Sequence, residues 1–159
     1  MKIQPSVINI YRRPLEVAES LRVRHGLSLE HSILFWLRNQ LDAEFYTRGC
    51  IRTCLSFDEL LEDWHTALKR VETELQITFP DQQAFQDKSV ELFLDPWLKH
   101  HDQTTTSGKE SHLLEFADQT YQSFVRLRTN PLESSTQEEL NKKRAVLKSL
   151  RLEGAQNTL

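Results

Sequence analysis

The first regular element predicted by the hydrophobic pattern is a short strand. Residues 7–11 form a β-branched and aromatic run, with Pro5 before it and Pro14 after it. A helix is expected from Pro14, because proline suits the first helical position, where its missing N–H has no partner to lose. Gly26 then marks the predicted end of this helix. The chain therefore opens with a strand that leads directly into a helix.

The most regular periodicity along the chain predicts a second helix. Its apolar residues recur every four positions on one stripe, at Leu29, Ile33, Leu37, Leu41 and Phe45. Ser28 is placed to cap the start of this helix, and Gly49 is expected to supply a left-handed stop. Such a stripe requires a layer of apolar side chains to cover it.

A second switch from strand to helix follows. Residues 50–55 are predicted as a strand, and Ser56 and Glu59 have the spacing of a capping box at the start of a helix over residues 57–77, broken near Asp63. No further strand is predicted after Pro80. Helices are expected over residues 83–94, 111–129 and 135–150, with interruptions at residues 95–96 and 130–131.

The order of these elements predicts the fold class. Two strands separated by two helices form a crossover connection, so the strands should be parallel and the chain should be α/β. Parallel sheets are normally built from several strands and covered on both faces. Because this sequence offers only two strands, we expect it to be the C-terminal part of a larger α/β domain. A mostly helical domain with a minimal sheet is the alternative.

Composition and charge argue against two kinds of partner, membranes and nucleic acids. The 159 residues are 38% apolar and 27% charged with a net charge of −3, which fits one ordinary domain. No apolar run approaches the roughly 20 residues that span a bilayer, and a pI near 6.1 gives no general attraction to nucleic acid. Neither a membrane nor a nucleic acid is therefore expected as a partner. Two cysteines and an N-terminus without a signal-peptide pattern predict a reducing, cytoplasmic setting.

The end of the first strand is the candidate binding site. Arg12 and Arg13 follow that strand at its carboxyl end, the edge where open α/β sheets bind ligands, and the N-terminus of the next helix faces the same edge. Arg12 can donate a charge-assisted pair of hydrogen bonds to a phosphate, and Ser20, two helical turns on, can add a hydroxyl. The alternative is that Arg12 is a surface residue or an ion-pair partner of Glu16.

The residues around this site resemble the sulfotransferase family that uses 3′-phosphoadenosine 5′-phosphosulfate, and its bacterial members most of all. An Arg-x-Pro that ends a strand, with a serine eight residues after the arginine, is similar to the family's segment for the 3′-phosphate. The resemblance continues through four further segments, at residues 25–30, 36–38, 55–63 and 93–101. It covers roughly residues 5–101.

The resemblance implies a site and a fold. Arg12 and Ser20 would bind the 3′-phosphate, and Arg13 would add positive charge. Phe57 stands where many relatives have a tyrosine, so aromatic packing is kept and a phenolic hydrogen bond is lost. The fold would be a three-layer, P-loop-like sulfotransferase fold truncated at its N-terminus. It would comprise a nucleotide-binding part over residues 1–101, a loop over 102–108 and a helical extension over 109–159.

The activity implied by the resemblance is transfer of a sulfuryl group from this nucleotide to a hydroxyl or amine acceptor. The family clamps the transferring group with an upstream Lys- and Gly/Ser/Thr-rich loop, whereas the four glycines here are scattered and eleven residues precede Arg12. The sequence thus resembles a nucleotide-binding half, with no catalytic base assigned. A second hypothesis is a non-catalytic remnant or helical interaction module, whose stripe at Leu29–Phe45 is covered by a partner chain or by self-association.

Other residues that can carry chemistry have simpler interpretations. Adjacent histidines at residues 100–101 point about 100° apart on a helix, so no metal site is expected. Cys50 and Cys54, four apart in a predicted strand, are expected to be small buried residues on one face. The basic residues 142–144 on the last helix are expected to form a solvated face.

Overall fold

The computed structural model describes residues 5–80 and 108–156 of the chain. Its elements, in chain order, are β1 (Ser6–Tyr11), α1 (Pro14–His25), α2 (Leu29–Tyr46), β2 (Ile51–Ser56), α3 (Phe57–Leu75), α4 (Gly108–Thr129) and α5 (Ser134–Gln156). The predicted helix over 83–94, the interruption at 95–96 and the segments over 93–101 and 102–107 lie outside the described residues.

The two strands form a parallel pair. Ser6 lies opposite Ile51 and Tyr11 lies opposite Ser56, so the strands run side by side over their whole length. The expectation of an α/β chain, helix-rich and with two parallel strands, is confirmed for the described residues. The crossover through α1 and α2 supplies the length that a parallel connection needs.

Helices pack against both faces of this sheet. Side chains alternate along a strand, so Ile8 and Leu55 share one face, where α3 supplies the buried Ala67, Val71 and Leu75. On the other face, Tyr11 and Cys54 join a larger cluster to which α1, α2, α4 and α5 all contribute, including Ala18, Leu37, Phe124 and Leu140. The two C-terminal helices therefore share one core with the first two.

The apolar stripe of α2 is covered by this chain's own helices. Leu29, Ile33, Leu37 and Leu41 are buried against side chains of α4 and α5, among them Ala117, Phe124, Leu127 and Leu140. Phe45, the last member of the stripe, is 38% exposed. Its ring is instead covered in part by the guanidinium of Arg144, whose carbon lies 4.0 Å from the ring centroid.

The last helix differs from its sequence-based interpretation. Lys142 is exposed, but Lys143 and Arg144 are both buried, so the expectation of a solvated face is wrong for these two residues. Arg144 bonds to Asp42 on α2 at 2.6 Å. Lys143 lies 3.1 Å from Glu139 and above the ring of Phe116. Each buried charge thus has an acidic partner and an aromatic face.

Glycine and proline mark the ends of α1 as predicted, but the end of α2 differs. Pro14 begins α1 and Gly26 ends it in the left-handed conformation, at φ 66°. Gly49 does not have a positive φ, so its predicted role as a left-handed stop is wrong. The helix ends earlier because Thr47 occupies the C-cap and its hydroxyl donates to the carbonyl of Ala43 at 2.7 Å.

The helix starts show where side-chain capping occurs. The Ser28 hydroxyl accepts a hydrogen bond from the His31 N–H, as predicted. Ser56 is the N-cap of α3 but makes no capping hydrogen bond, so the predicted capping box does not form. Inside α3, Asp63 leaves the helical conformation (φ −156°, ψ 85°) and its carboxylate accepts from the Thr66 N–H at 3.1 Å. Asp63 therefore caps the second half of the helix, at the predicted break.

The two cysteines are both free thiols. Cys54 lies in β2 and is buried, whereas Cys50 precedes the strand and is half-buried. Burial raises the pKa of the Cys54 thiol to about 11. Among the described residues, no helix is both long enough and apolar enough to cross a membrane.

Candidate functional site

The carboxyl ends of the two strands bring Arg12 and Phe57 together. Arg12 directly follows β1 and Phe57 directly follows β2, and the guanidinium carbon lies 4.5 Å from the centroid of the phenyl ring. Arg12 also donates from Nε to Glu16 at 2.7 Å. A cation over an aromatic face contributes about 0.5–1 kcal/mol at an exposed site. Arg12 thus lies at the predicted strand-end position and is at the same time the ion-pair partner of Glu16.

Helix α2 fixes the backbone on which Arg12 stands. The indole Nε1 of Trp36 donates to the carbonyl of Arg12 at 3.1 Å. One turn further on, the Gln40 amide donates to the carbonyl of Ile10 at 3.4 Å. These two hydrogen bonds fix the backbone at the end of β1 against α2. The position of the Arg12 Cα, from which its side chain extends, is therefore defined.

Arg13 lies nearby but is more solvated. Its side chain is 63% exposed, and its Nε lies 3.5 Å from Asp58 and 4.0 Å from Glu16. Exposed ion pairs of this kind contribute about 0–1 kcal/mol. Arg13 therefore supplies positive charge that can move toward a ligand at small cost.

Ser20 occupies the same side of α1 as Glu16. Side chains four residues apart lie one above the other on a helix, so Ser20 stands one turn beyond the pair of Arg12 and Glu16. Ser20 is half-buried. The strand ends thus bring together Arg12, Arg13 and Phe57, with Ser20 on the adjoining face of α1.

Helix α4 adds two groups that the sequence did not predict. The Tyr121 ring packs edge-on against Tyr11, with centroids 5.5 Å apart. Burial raises the pKa of Tyr121, and the charge of Asp58 raises it further. Asp118 is exposed, and partial desolvation by its neighbours raises its pKa against the opposing charge of Arg13. Neither residue forms a local motif with the strand ends, so no sequence signal could have assigned them to this site.

A clamp of ionic hydrogen bonds, formed by Glu59, Arg70 and Arg128, joins α3 to α4 beside the strand ends. Glu59 accepts from Arg70 at 3.0 and 3.2 Å and from Arg128 at 3.0 and 2.7 Å. Burial acts to raise the pKa of Glu59, but the hydrogen bonds from Arg128 and Arg70 outweigh it and lower that pKa. Arg70 also donates to the carbonyl of Cys54 at 3.0 Å, which attaches the clamp to β2.

The charge balance of the strand ends determines what can bind there. The positive groups are Arg12 and Arg13, and the carboxylates near them are Glu16, Asp58 and Asp118. An anion must therefore compete with Glu16 for Arg12 and with Asp58 for Arg13. A group with two negative charges that accepts bidentate hydrogen bonds is better suited to this competition than a carboxylate of single charge.

No family model, curated protein or solved structure matches this chain. The resemblance to sulfotransferases therefore stays a prediction from the sequence. Within residues 5–80 and 108–156, no three His, Cys, Asp or Glu side chains are grouped so that they could hold a metal ion. The two histidines at residues 100–101 lie outside the described residues.

Proposed function

We propose that this chain binds the 3′-phosphate of 3′-phosphoadenosine 5′-phosphosulfate at the strand ends, as the nucleotide-binding part of a sulfotransferase with a P-loop-like fold. The observation that carries the proposal is the position of Arg12. It follows β1 at the carboxyl end of a parallel pair, its guanidinium lies over Phe57 after β2, and α1 begins two residues later. Ligands of open α/β sheets bind at this edge.

The chemistry of a phosphate monoester suits these groups. A guanidinium forms two parallel hydrogen bonds to phosphate oxygens, and the free N–H groups at the start of α1 favour negative charge. In the proposed complex the phosphate replaces Glu16 as the partner of Arg12. Ser20, on the same side of α1 as Glu16, adds a hydroxyl donor, and Arg13 supplies a second positive charge when it turns from Asp58 to the phosphate.

The proposed reaction is transfer of the sulfuryl group to a hydroxyl or amine acceptor. Such a transfer needs an in-line nucleophile and groups that stabilise charge on the leaving phosphate. Arg12, Arg13 and Ser20 would hold the nucleotide that leaves, so their role is binding and orientation. No residue of this chain is assigned to the transfer step itself.

The alternative, a non-catalytic remnant or helical interaction module, stays a prediction. The apolar stripe expected to be covered by a partner is covered at Leu29, Ile33, Leu37 and Leu41 by α4 and α5 of the same chain. Self-association stays a prediction without that support.

Calorimetric titration of three variants with 3′-phosphoadenosine 5′-phosphate tests the proposal. Arg12→Ala should weaken binding by at least about 30-fold, because removing one partner of a charged pair costs about 2–5 kcal/mol. Glu16→Gln should strengthen binding, because it removes the carboxylate that competes for Arg12. Arg24→Ala is the matched control, since Arg24 is an exposed arginine near the far end of the same helix.

The pattern across the three variants decides the assignment. Loss in Arg12→Ala, gain in Glu16→Gln and no change in Arg24→Ala support a phosphate site at Arg12. If Arg12→Ala and Arg24→Ala weaken binding equally, the nucleotide responds to net charge alone and the site assignment is wrong. Circular dichroism of each variant shows that the fold is retained.

A further inference from the structure

A groove of about 620 Å³ lies between α2, α4 and α5, and none of the strand-end residues lines it. Four of its ten lining residues are leucines, of which Leu41 is buried and Leu34, Leu113 and Leu147 are half-buried. The volume is within the range of about 300–1,000 Å³ that is typical of small-molecule pockets. The groove can therefore hold the apolar part of a small molecule.

The groove has more positive than negative side chains, and one of its two acids is already paired with arginines. Its cations are Arg38, Arg144 and Lys148, and its acids are Glu30 and Asp42. Asp42 is already engaged, since Arg144 Nε lies 2.6 Å from one of its oxygens and Arg38 Nε lies 3.9 Å from the other. The groove thus has three positive groups and two carboxylates. Asp42 lies between two arginines, and Glu30 is exposed on the first turn of α2.

Arg144 is the fixed cation of this set. It is 8% exposed, and its guanidinium lies against Phe45 and Tyr46, with 4.0 and 4.8 Å between its central carbon and the ring centroids. A guanidinium carries five N–H donors, more than its contacts with Asp42 and Tyr46 use. The aromatic faces hold it in place, so it can meet an anionic group without a large loss of side-chain freedom.

We propose that this groove binds an aliphatic molecule with a single anionic head group, of the fatty carboxylate class. The hydrocarbon chain would lie on Leu34, Leu41, Leu113 and Leu147. The head group would bind Arg144, with Arg38 and Lys148 on the exposed rim supplying further positive charge. This inference is independent of the proposed nucleotide site, because it uses a different face of the molecule.

Titration calorimetry with decanoate, below its micelle-forming concentration, tests the proposal on the full chain. Decanol has the same chain length without the charge, and should bind at least tenfold more weakly than decanoate. The double variant Arg38→Gln/Lys148→Gln should lose at least tenfold in decanoate affinity. Its matched control is Arg24→Gln/Lys142→Gln, which removes the same charges from exposed positions of α1 and α5 outside the groove.

A second variant tests the apolar part. Leu147→Glu places a negative charge on the aliphatic lining and should abolish decanoate binding, with circular dichroism used to show that the helices are kept. Addition of 3′-phosphoadenosine 5′-phosphate should leave the decanoate affinity within twofold, because the two sites share no residue.

Several results would overturn the proposal. These are no saturable binding of decanoate, equal binding of decanoate and decanol, or an equal loss in the control double variant. Competition by the nucleotide would place the decanoate at the strand ends. A concentration-dependent dimer in sedimentation that Leu147→Glu disrupts would assign the groove to a second copy of the chain.

Discussion

Replacing Glu59 by glutamine removes the charge that links α3 to Arg128 of α4 beside the strand ends. The Glu59 carboxylate is 19% exposed and accepts four hydrogen bonds, two from Arg70 on its own helix and two from Arg128 on α4. Glutamine has nearly the same shape and keeps one acceptor oxygen. Its amide nitrogen, however, brings N–H donors toward the N–H donors of an arginine.

The size of the effect follows from these contacts. Two of the four hydrogen bonds are lost, and buried hydrogen bonds to charged groups contribute about 1.5–3 kcal/mol each. The Arg128 side chain is 36% exposed, so water compensates part of the loss. We therefore expect Glu59→Gln to lower the free energy of unfolding by about 2 kcal/mol, or the Tm by about 4–8 °C for a chain of this length.

The effect should depend on pH in one direction. The pKa of Glu59 is lowered in the folded chain, so its contribution is fully present above the ordinary glutamate pKa, about 4.3–4.5, and is lost as pH falls through the folded value. The difference between Glu59→Gln and the natural chain should be largest near pH 7. It should shrink as the pH falls below the ordinary glutamate value, because the unfolded chain then takes up a proton that the folded chain binds less readily.

Urea unfolding followed by circular dichroism at pH 7, 5 and 3 measures this difference. Glu62→Gln is the control, because Glu62 lies on the same helix and is exposed; it should change stability by less than about 0.5 kcal/mol. A change within that limit for Glu59→Gln at pH 7, or a difference that stays constant down to pH 3, would show that the clamp does not stabilise the fold.

Three further predictions concern single positions. Gly26→Ala should destabilise the chain by about 1 kcal/mol, because φ is +66° there, whereas Gly49→Ala should be neutral or slightly stabilising; thermal melts of the pair measure the contrast. At pH 8, a thiol reagent should modify Cys50 readily and Cys54 only after unfolding, because Cys54 is buried and its pKa is raised to about 11. Peptide mass spectrometry measures the labelling, and modification of both cysteines in the folded chain would contradict this prediction. Asp63→Ala should lower the free energy of unfolding, measured in urea, by about 1 kcal/mol, because the cap inside α3 is lost. An unchanged free energy would show that this cap does not stabilise the helix.

The sequence predicted the elements whose signals are local. The strand before Pro14, the end of α1 at Gly26 and the break at Asp63 each depend on residues within one or two turns. The ion pair of Arg12 with Glu16 was also predictable as an alternative, since four-residue spacing places the two side chains on one face.

Contacts between distant elements were not predictable in the same way. The clamp joins Glu59 to Arg128 across 69 positions of the sequence, and no local pattern relates them. Arg144 belongs to a basic run that is typical of a solvated helix face, and it is buried because Asp42 and Phe45 of α2 lie opposite it. The predicted stop at Gly49 is wrong because Thr47 ends α2 first.

We propose that the strand ends form a site for a 3′-phosphate. Its most direct measurement is calorimetry of the natural chain with 3′-phosphoadenosine 5′-phosphate, beside 5′-AMP, which lacks that phosphate. We expect at least about tenfold tighter binding of the bisphosphate, because a charge-assisted contact contributes roughly 1.5–3 kcal/mol. Equal affinities, or no binding by a folded chain, would contradict it.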